Sequence, residues 1–448
     1  ATAFQEHPYH HPIIGWKSDI EAITVEKLKA FYNTYYWPNN AVLSVIGGFD
    51  KASTLEAIKQ YFGPIPRSPE PIPQLKIIEP EQEAARHINV ERAGKVGAVM
   101  VANKIPQGTH PDWPEILLIS ELFSADKVGR LYKALDDKGL ASTSFAFPRR
   151  LKDPGLIILG AALTENSNHE SIQAIILSEI DLLIQEGVGK KELDRARSVL
   201  LNDKIFARDG SYSIADDLND AIAMGNWKDY SAISKSLKAV TVKSIQAVAK
   251  KYFKEATRTT AWFIPTTPNA GENGNEISAL APYHYKAPKA GTPLQDTHNS
   301  EPPEVDFTPH IESFFLGAVE VTTVKMPVEG VVSFVGSLAA GDFQSPDDSP
   351  LLADLTADML DKGTLNKSRF EISELLDESG MKLNFSSNSH ALEFKGKFLK
   401  KNTQDFISIL AEQLKTPLFD PEVLNNLKEQ YRSYLLQYEN DTEYMSES

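Results

Sequence analysis

Two stretches of this chain, separated by about 235 residues, carry one pattern, and a chain that repeats itself at that distance has to build the same topology twice. Pro111-Asp112 ahead of Leu117-Leu118 returns as Pro346-Asp347-Asp348 ahead of Leu351-Leu352. Arg130-Leu131 with Leu135 and then Gly139 returns as Arg369-Phe370 with Leu375-Leu376 and then Gly380. Glu192-Leu193 leading to Arg197 and Leu200 returns as Glu422-Val423-Leu424 leading to Lys428 and Tyr431. The spacing is far longer than a solenoid period, so it reads as duplication of a whole domain.

The first copy is the easier one to read. Ile88–Val90, Val96–Ala102, Ala141–Phe147, Leu156–Ala162 and Thr259–Ile264 are short apolar runs that predict strands. A helix is predicted from Asp112 through Leu135, and Ile172, Ile176, Ile180 and Leu183 recur at helical spacing before Gly187. Further helices are predicted over Leu193–Ala207, Ser213–Met224 and Val242–Tyr252, the last with Thr241 as N-cap. Strands first and helices after imply an α+β class: repeated domains, each a mainly antiparallel sheet covered by helices on one face.

Two connectors divide the chain. Pro64 to Pro73 holds five prolines in ten residues, a stiff extended spacer. A second, from about Pro265 to Pro309, is rich in Pro, Gly, Asn and Thr and reads as a strap. Ahead of the first connector, Thr24 can cap a helix carrying Val25, Leu28, Phe31, Tyr32 and Tyr35 on one face, which Pro38 ends. Ala41 to Ile46 reads as a buried strand, and Asp50 caps a second helix with Leu55, Ile58 and Phe62. This is half a domain, with too little apolar surface to fold alone.

Composition narrows the function classes. Lys and Arg number 46 against 61 Asp and Glu, a formal charge of -15, which argues against a nucleic-acid surface. No apolar run approaches the roughly 20 residues of a membrane span. The absence of cysteine excludes disulfides, thiolate metal sites and a Cys nucleophile.

The most specific string stands at the start: His7-Pro8-Tyr9-His10-His11-Pro12, Ile14-Gly15-Trp16, Tyr35-Tyr36-Trp37-Pro38-Asn39-Asn40-Ala41-Val42-Leu43 and Gly47-Gly48-Phe49-Asp50. It resembles the pitrilysin/insulinase family of zinc peptidases, in which four such domains form two halves that close around a chamber. The resemblance implies that 1–63 is the C-terminal part of a first domain, 64–73 a connector and 74–265 a second domain. Residues 266–306 then link the halves, and 307–448 is a third, non-catalytic domain, incomplete at its C-terminus. His7, His10 and His11 form a cluster open to a metal or proton role; in the family this stretch shapes the chain entering the last helices of domain one.

Family peptidases bind zinc with H-x-x-E-H on a helix of domain one, where two imidazoles hold the metal and the Glu activates water; a further Glu some 70 residues on completes the site. No such motif occurs here. His390 has Glu393 but then Phe394, His298 has Glu301 but then Pro302, and His169-Glu170 is followed by Gln173. Where the third domain would carry H-x-x-E-H-M-L-x-K-G-T, this chain has Asp354 to Thr364. Met359, Leu360, Lys362, Gly363 and Thr364 keep the frame, Asp354 and Asp358 replace the histidines, and Ala357 replaces the Glu. Two carboxylates without a base are poorly matched to zinc, so Asp354 and Asp358 read as solvated acids. In domain two, Leu135 and Ser142 stand where domain four of the family places a substrate-binding Arg and Tyr. Arg149-Arg150 reads as a solvated basic loop.

The expectation is part of a zinc metalloendopeptidase that cleaves peptides or small unfolded proteins, with its zinc motif upstream of Ala1 and no catalytic or metal residue of its own. The expected cofactor is zinc in the full-length protein and none on this chain. The expected partners are peptide substrates, with no nucleic acid and no membrane span, together with self-association or pairing with other segments. The alternatives are a non-catalytic family member acting as an interaction or assembly subunit, and a peptide-binding module of unrelated chemistry.

Overall fold

A computed structural model of the protein describes residues 2–74, 77–266, 311–325, 330–346 and 348–438. These fall into two units, one formed by residues up to 266 with those from 332 onward, the other by 267–331. Nearly all of the expected strap at 266–306, and the tail beyond 438, lie outside the described residues.

Local chemistry starts the first helices: α1 (Lys17–Glu21), α2 (Val25–Tyr35) and α3 (Lys51–Phe62). Thr24 accepts a bond from the Lys27 N–H, and Asp50 from that of Ser53, as N-caps do. Neither α2 nor α3 buries a residue. Ala41 to Ile46, expected as a buried strand, joins no sheet, and Val42 and Leu43 are exposed. β-branched residues supply strand propensity, but a strand exists only through its neighbours.

The next elements build one sheet and its cover. They are β1 (Arg86–Ala93), β2 (Ala98–Ile105), α4 (Trp113–Ser124), β3 (Ala141–Pro148), β4 (Gly155–Leu163), α5 (His169–Gln185), α6 (Lys190–Phe206), α7 (Ser211–Met224), α8 (Asp229–Ala239), α9 (Val242–Tyr252) and β5 (Arg258–Thr266). The strand order is β1-β5-β2-β4-β3, parallel between β1 and β5 and antiparallel elsewhere. The last strand of this domain thus enters the sheet between β1 and β2. Val99, Val101, Leu159 and Ala161 meet Leu118 and Leu122 of α4, Ile172, Ile176, Ile180 and Leu183 of α5, and Ile245 of α9 in one core.

Two elements differ from expectation. The helix expected from Asp112 through Leu135 stops at Ser124; Lys127 turns the backbone at φ 62°, and only a five-residue π turn at Tyr132–Asp136 follows. The chain folds back so closely at Gly129 that a Cβ there would lie 2.6 Å from the Ala125 carbonyl oxygen. A side chain at 129 would push the loop apart, a constraint invisible to helical periodicity. The second is α8, which the apolar pattern did not suggest because Leu237 alone among its residues is buried.

In the second unit β6 (Ile311–Leu316) and β7 (Val319–Val324) form an antiparallel hairpin. The rest of the first unit comprises β8 (Val331–Leu338), α10 (Leu352–Met359), α11 (Arg369–Ser379), β9 (Lys382–Ser387), β10 (Leu392–Leu399), α12 (Thr403–Lys415) and α13 (Pro421–Tyr438). Its sheet runs β8-β10-β9, the order of β2-β4-β3 in the first copy. α10 lies between its first two strands in sequence as α4 does, and α12 and α13 follow β10 as α5 and α6 follow β4. α11 stands where the first copy has only its π turn.

Polar contacts join the copies. Arg369 pairs with Asp137, Arg195 with Asp377 at 3.5 Å, Lys191 with Glu374 at 2.9 Å and Lys382 with Asp203 at 2.5 Å.

Candidate functional site

Because α10 and the turn before β3 face each other across this junction, the segment from Asp354 to Lys362 and the turn over 139–142 open on one cavity. Its volume is about 640 Å³, and Asp358 and Ser142 both line it. α10 presents Asp354 and Asp358 one turn apart, with Ala357 buried between them. Neither acid is the freely solvated group expected. Asp354 accepts a hydrogen bond from the Ser387 hydroxyl at 2.5 Å, and Asp358 accepts one from the Tyr431 hydroxyl at 2.8 Å. Burial pushes the Asp358 carboxyl up, and the Tyr431 bond only partly opposes it.

Residues not singled out in the sequence complete the wall. Lys127 reaches across the junction to Asp361 at 2.6 Å. Burial disfavours its charge, yet Asp361 and Asp126 outweigh that and hold it above the ordinary lysine value. Asp136, on the π turn, is buried and takes a hydrogen bond from the Ser144 hydroxyl. Desolvation raises its carboxyl to about 7, against the downward effect of that bond. A signal for the lysine pair was present: Asp126-Lys127 returns as Asp361-Lys362 at the repeat spacing. Nothing in the sequence marked Asp136, because its burial depends on α13 covering the turn, where Gln430 donates to its carbonyl.

Zinc does not fit the residues present. Both carboxylates of α10 are engaged by hydroxyls, Ala357 offers no base, and among the described residues no three His, Cys, Asp or Glu side chains converge as metal ligands. Leu135 is buried in the core, away from the role an Arg would have.

The remaining sequence candidates hold structure. His7 is buried against Phe4 and Tyr9, and its Nε2 lies 3.5 Å from Asp153. His10 bonds the His7 carbonyl, and His11 accepts from the Trp16 indole. The same stretch docks through Glu79, which accepts the N–H groups of Gln5, Glu6 and His7 and the Lys104 ammonium. Burial would raise that carboxyl, but these donors hold it down at about 2. Arg150 is no solvated loop residue: it bonds the Gly108 carbonyl and Asp229 and lies over the Trp113 ring. His169 bonds the Phe263 carbonyl at 2.7 Å, and His390 packs on Phe343. His298, Glu301 and Pro302 lie outside the described residues.

Two family profiles match the chain: Peptidase M16 inactive domain over residues 22–200, and Insulinase (Peptidase family M16) over 324–446. Zinc protease PqqE of Helicobacter pylori is 28% identical over 269 residues, 59% of this chain and 60% of that protein. The non-peptidase homolog YmxG of the same organism is 33% identical over 95 residues, 21% of this chain and 22% of that one. A crystal structure of a protease from Helicobacter pylori superposes with a TM-score of 0.57 at 27% identity, covering 59% of this chain and 64% of that one. The chain thus spans less than two thirds of the length of the curated relatives it matches, 60% of PqqE and 22% of YmxG.

Proposed function

Since the chain belongs to the insulinase family of peptidases, we propose that it forms part of a zinc-dependent metalloendopeptidase, building the non-catalytic side of a two-halved chamber that cleaves peptides or small unfolded proteins. The observation that carries this reading is one cavity in which the altered zinc frame and the altered substrate loop meet, through Asp358 and Ser142. In this reading 1–63 closes a first domain, 74–265 and 307–448 are the second and third, and 64–73 and 266–306 connect them. The H-x-x-E-H helix and its distal Glu belong to polypeptide outside these residues, and no metal step is assigned to this chain.

A second reading, a non-catalytic assembly subunit, is favoured by the replacement of both His positions and the Glu position on α10 by Asp354, Asp358 and Ala357 and by the match to a relative named as a non-peptidase. The encoded sequence upstream of Ala1 separates the two. The peptidase reading expects H-x-x-E-H there, with a chelator-sensitive cleavage of unstructured peptides that zinc restores and that conversion of the motif Glu to Gln abolishes. If no such motif is encoded, the assembly reading takes its place. The chain as it stands should retain well under one zinc after dialysis and cleave nothing; about one tightly held zinc per chain, by elemental analysis, would contradict the assignment of these residues.

A further inference from the structure

Two acids at the junction of the copies differ from their neighbours in having no countercharge. Asp137, Asp203, Asp361, Glu374 and Asp377 each lie against a Lys or Arg of the other copy. Asp136 has the Ser144 hydroxyl and Asp358 that of Tyr431, and among the described residues no salt bridge reaches either. Yet Asp136 is only 5% exposed. A buried carboxyl with a hydroxyl and no cation beside it favours a positive charge arriving from outside.

Both acids open on the cavity of about 640 Å³, within the range of roughly 300 to 1,000 Å³ that small-ligand pockets occupy. Its floor holds the buried side chains of Phe123, Phe385 and Leu427, while Asp126, Thr143, Asn384 and Tyr434 at its mouth are exposed. The rings of Phe123, Phe385, Tyr431 and Tyr434 stand in the same wall, and aromatic faces attract cations. The two lysines of the wall do not supply one. Lys127 lies 2.6 Å and Lys362 3.4 Å from Asp361, and Arg369 is held by Asp137.

The walls are whole elements, set away from the surfaces that further polypeptide would cover. β3 is the edge of its five-stranded sheet remote from β1, and β9 is the edge of its sheet remote from β8. α13, at 18 residues, matches the 17 of α6. Side chains already in place desolvate the two acids, so the pocket does not arise from an open sheet edge or a bare helix face.

We infer that this cavity takes one basic side chain of an unstructured peptide, a guanidinium or ammonium group, with Asp136 and Asp358 meeting its charge and the rings packing along its stem. The inference rests on the proposed handling of peptides and assigns the non-catalytic wall a part in it. The formal charge of -15 draws such a peptide toward the mouth. Desolvation lifts the Asp136 carboxyl to about 7 and raises that of Asp358, so an arriving cation draws a proton off the acids. Asp126, Asp354 and Asp361 oppose that ionisation, Lys127, Lys362 and Arg369 favour it, and Tyr132, Tyr431 and Tyr434 face the acids as hydroxyls. Affinity therefore rises with pH through about 7.

Calorimetric titration reads binding without cleavage, so its outcome stands apart from whether H-x-x-E-H is encoded upstream of Ala1. A blocked unstructured peptide with one arginine should bind this chain about tenfold or more tighter than the same peptide with citrulline, which keeps the shape and loses the charge. That preference should fall several-fold between about pH 8 and about pH 6. Asp136→Asn and Asp358→Asn should each remove most of it with unchanged circular dichroism, whereas Glu170→Gln, an exposed acid of α5 outside the cavity, should leave it intact. Ethylguanidinium alone should bind more weakly than the peptide, and the full-length protein should show the same preference for arginine. Equal binding of the two peptides, a preference indifferent to Asp136→Asn and Asp358→Asn, ethylguanidinium binding as tightly as the peptide, or loss of the preference in the full-length protein overturns the inference.

Discussion

At residue scale the chemistry of the cavity is set by burial. Asp136 takes its hydrogen bond from a serine hydroxyl rather than from a cation, and its carboxyl stands at about 7. An acid raised in the folded state contributes its full stability below its ordinary value near 4 and loses it as pH rises toward 7. Glu121, raised to about 7 by burial and then by Asp377 and Asp203, and Asp377, raised to about 6, act in the same sense. Glu79, held at about 2, acts in the opposite one: its contribution is lost as pH falls from about 4 toward 2. Asp136→Asn should therefore be close to neutral at pH 4 and stabilising at pH 8, by roughly 2 to 4 kcal/mol at most. Urea melts at the two pH values check this; an equal effect at both contradicts it. Lys127→Met leaves Asp361 buried without its closest cation and should cost about 3 kcal/mol or more, most of it recovered when Asp361→Asn is added.

At the scale of elements, identical local signals have unequal consequences. Thr24 and Thr241 make the same cap, and the capped sequences of α2 and α9 carry the same apolar spacing. Among the described residues only α9 has a core beneath it. Ile245→Ala should cost about 2 to 5 kcal/mol in the main unfolding transition, as a large-to-small change in a filled core does. Leu28→Ala should move that transition by less than about 0.5 kcal/mol in this chain, and its effect should appear in hydrogen exchange over residues 25–35. Comparable losses at both sites would show that α2 is packed after all. The helix stop at Ser124 belongs here too: periodicity continued through Leu135, but the chain leaves the helix after Ser124 and turns at Lys127 with φ 62°.

At the scale of the molecule, the two copies of the fold meet through polar and charged side chains rather than a shared apolar core. Their buried apolar clusters are separate, one around β2, β4, α4 and α5, the other around β9, β10 and α12. The half-buried Arg369–Asp137 pair therefore carries weight that an exposed pair such as Lys191–Glu374 does not. Arg369→Ala should speed proteolytic nicking between the copies and lower the melting midpoint, while Lys191→Ala should change neither measurably. If the two variants behave alike, the junction is held by something other than its buried charge.

The sequence by itself determined the elements and the family frame. Caps at Thr24, Asp50 and Thr241, the apolar spacing of α5, the repeat of Pro111-Asp112 at Pro346, and the Met359 to Thr364 frame are all local or periodic signals, carried by neighbours in the chain. The tertiary structure decided which of them are used. Whether Ala41 to Ile46 or Thr259 to Ile264 becomes a strand depends on a sheet edge contributed by residues far away in sequence. Likewise Asp136 and Asp358 share a cavity only because α13 crosses the turn before β3, bringing Gln430 and Tyr431 to them. Desolvation and strand pairing are properties of what surrounds a residue, and no spacing along the chain encodes that surrounding.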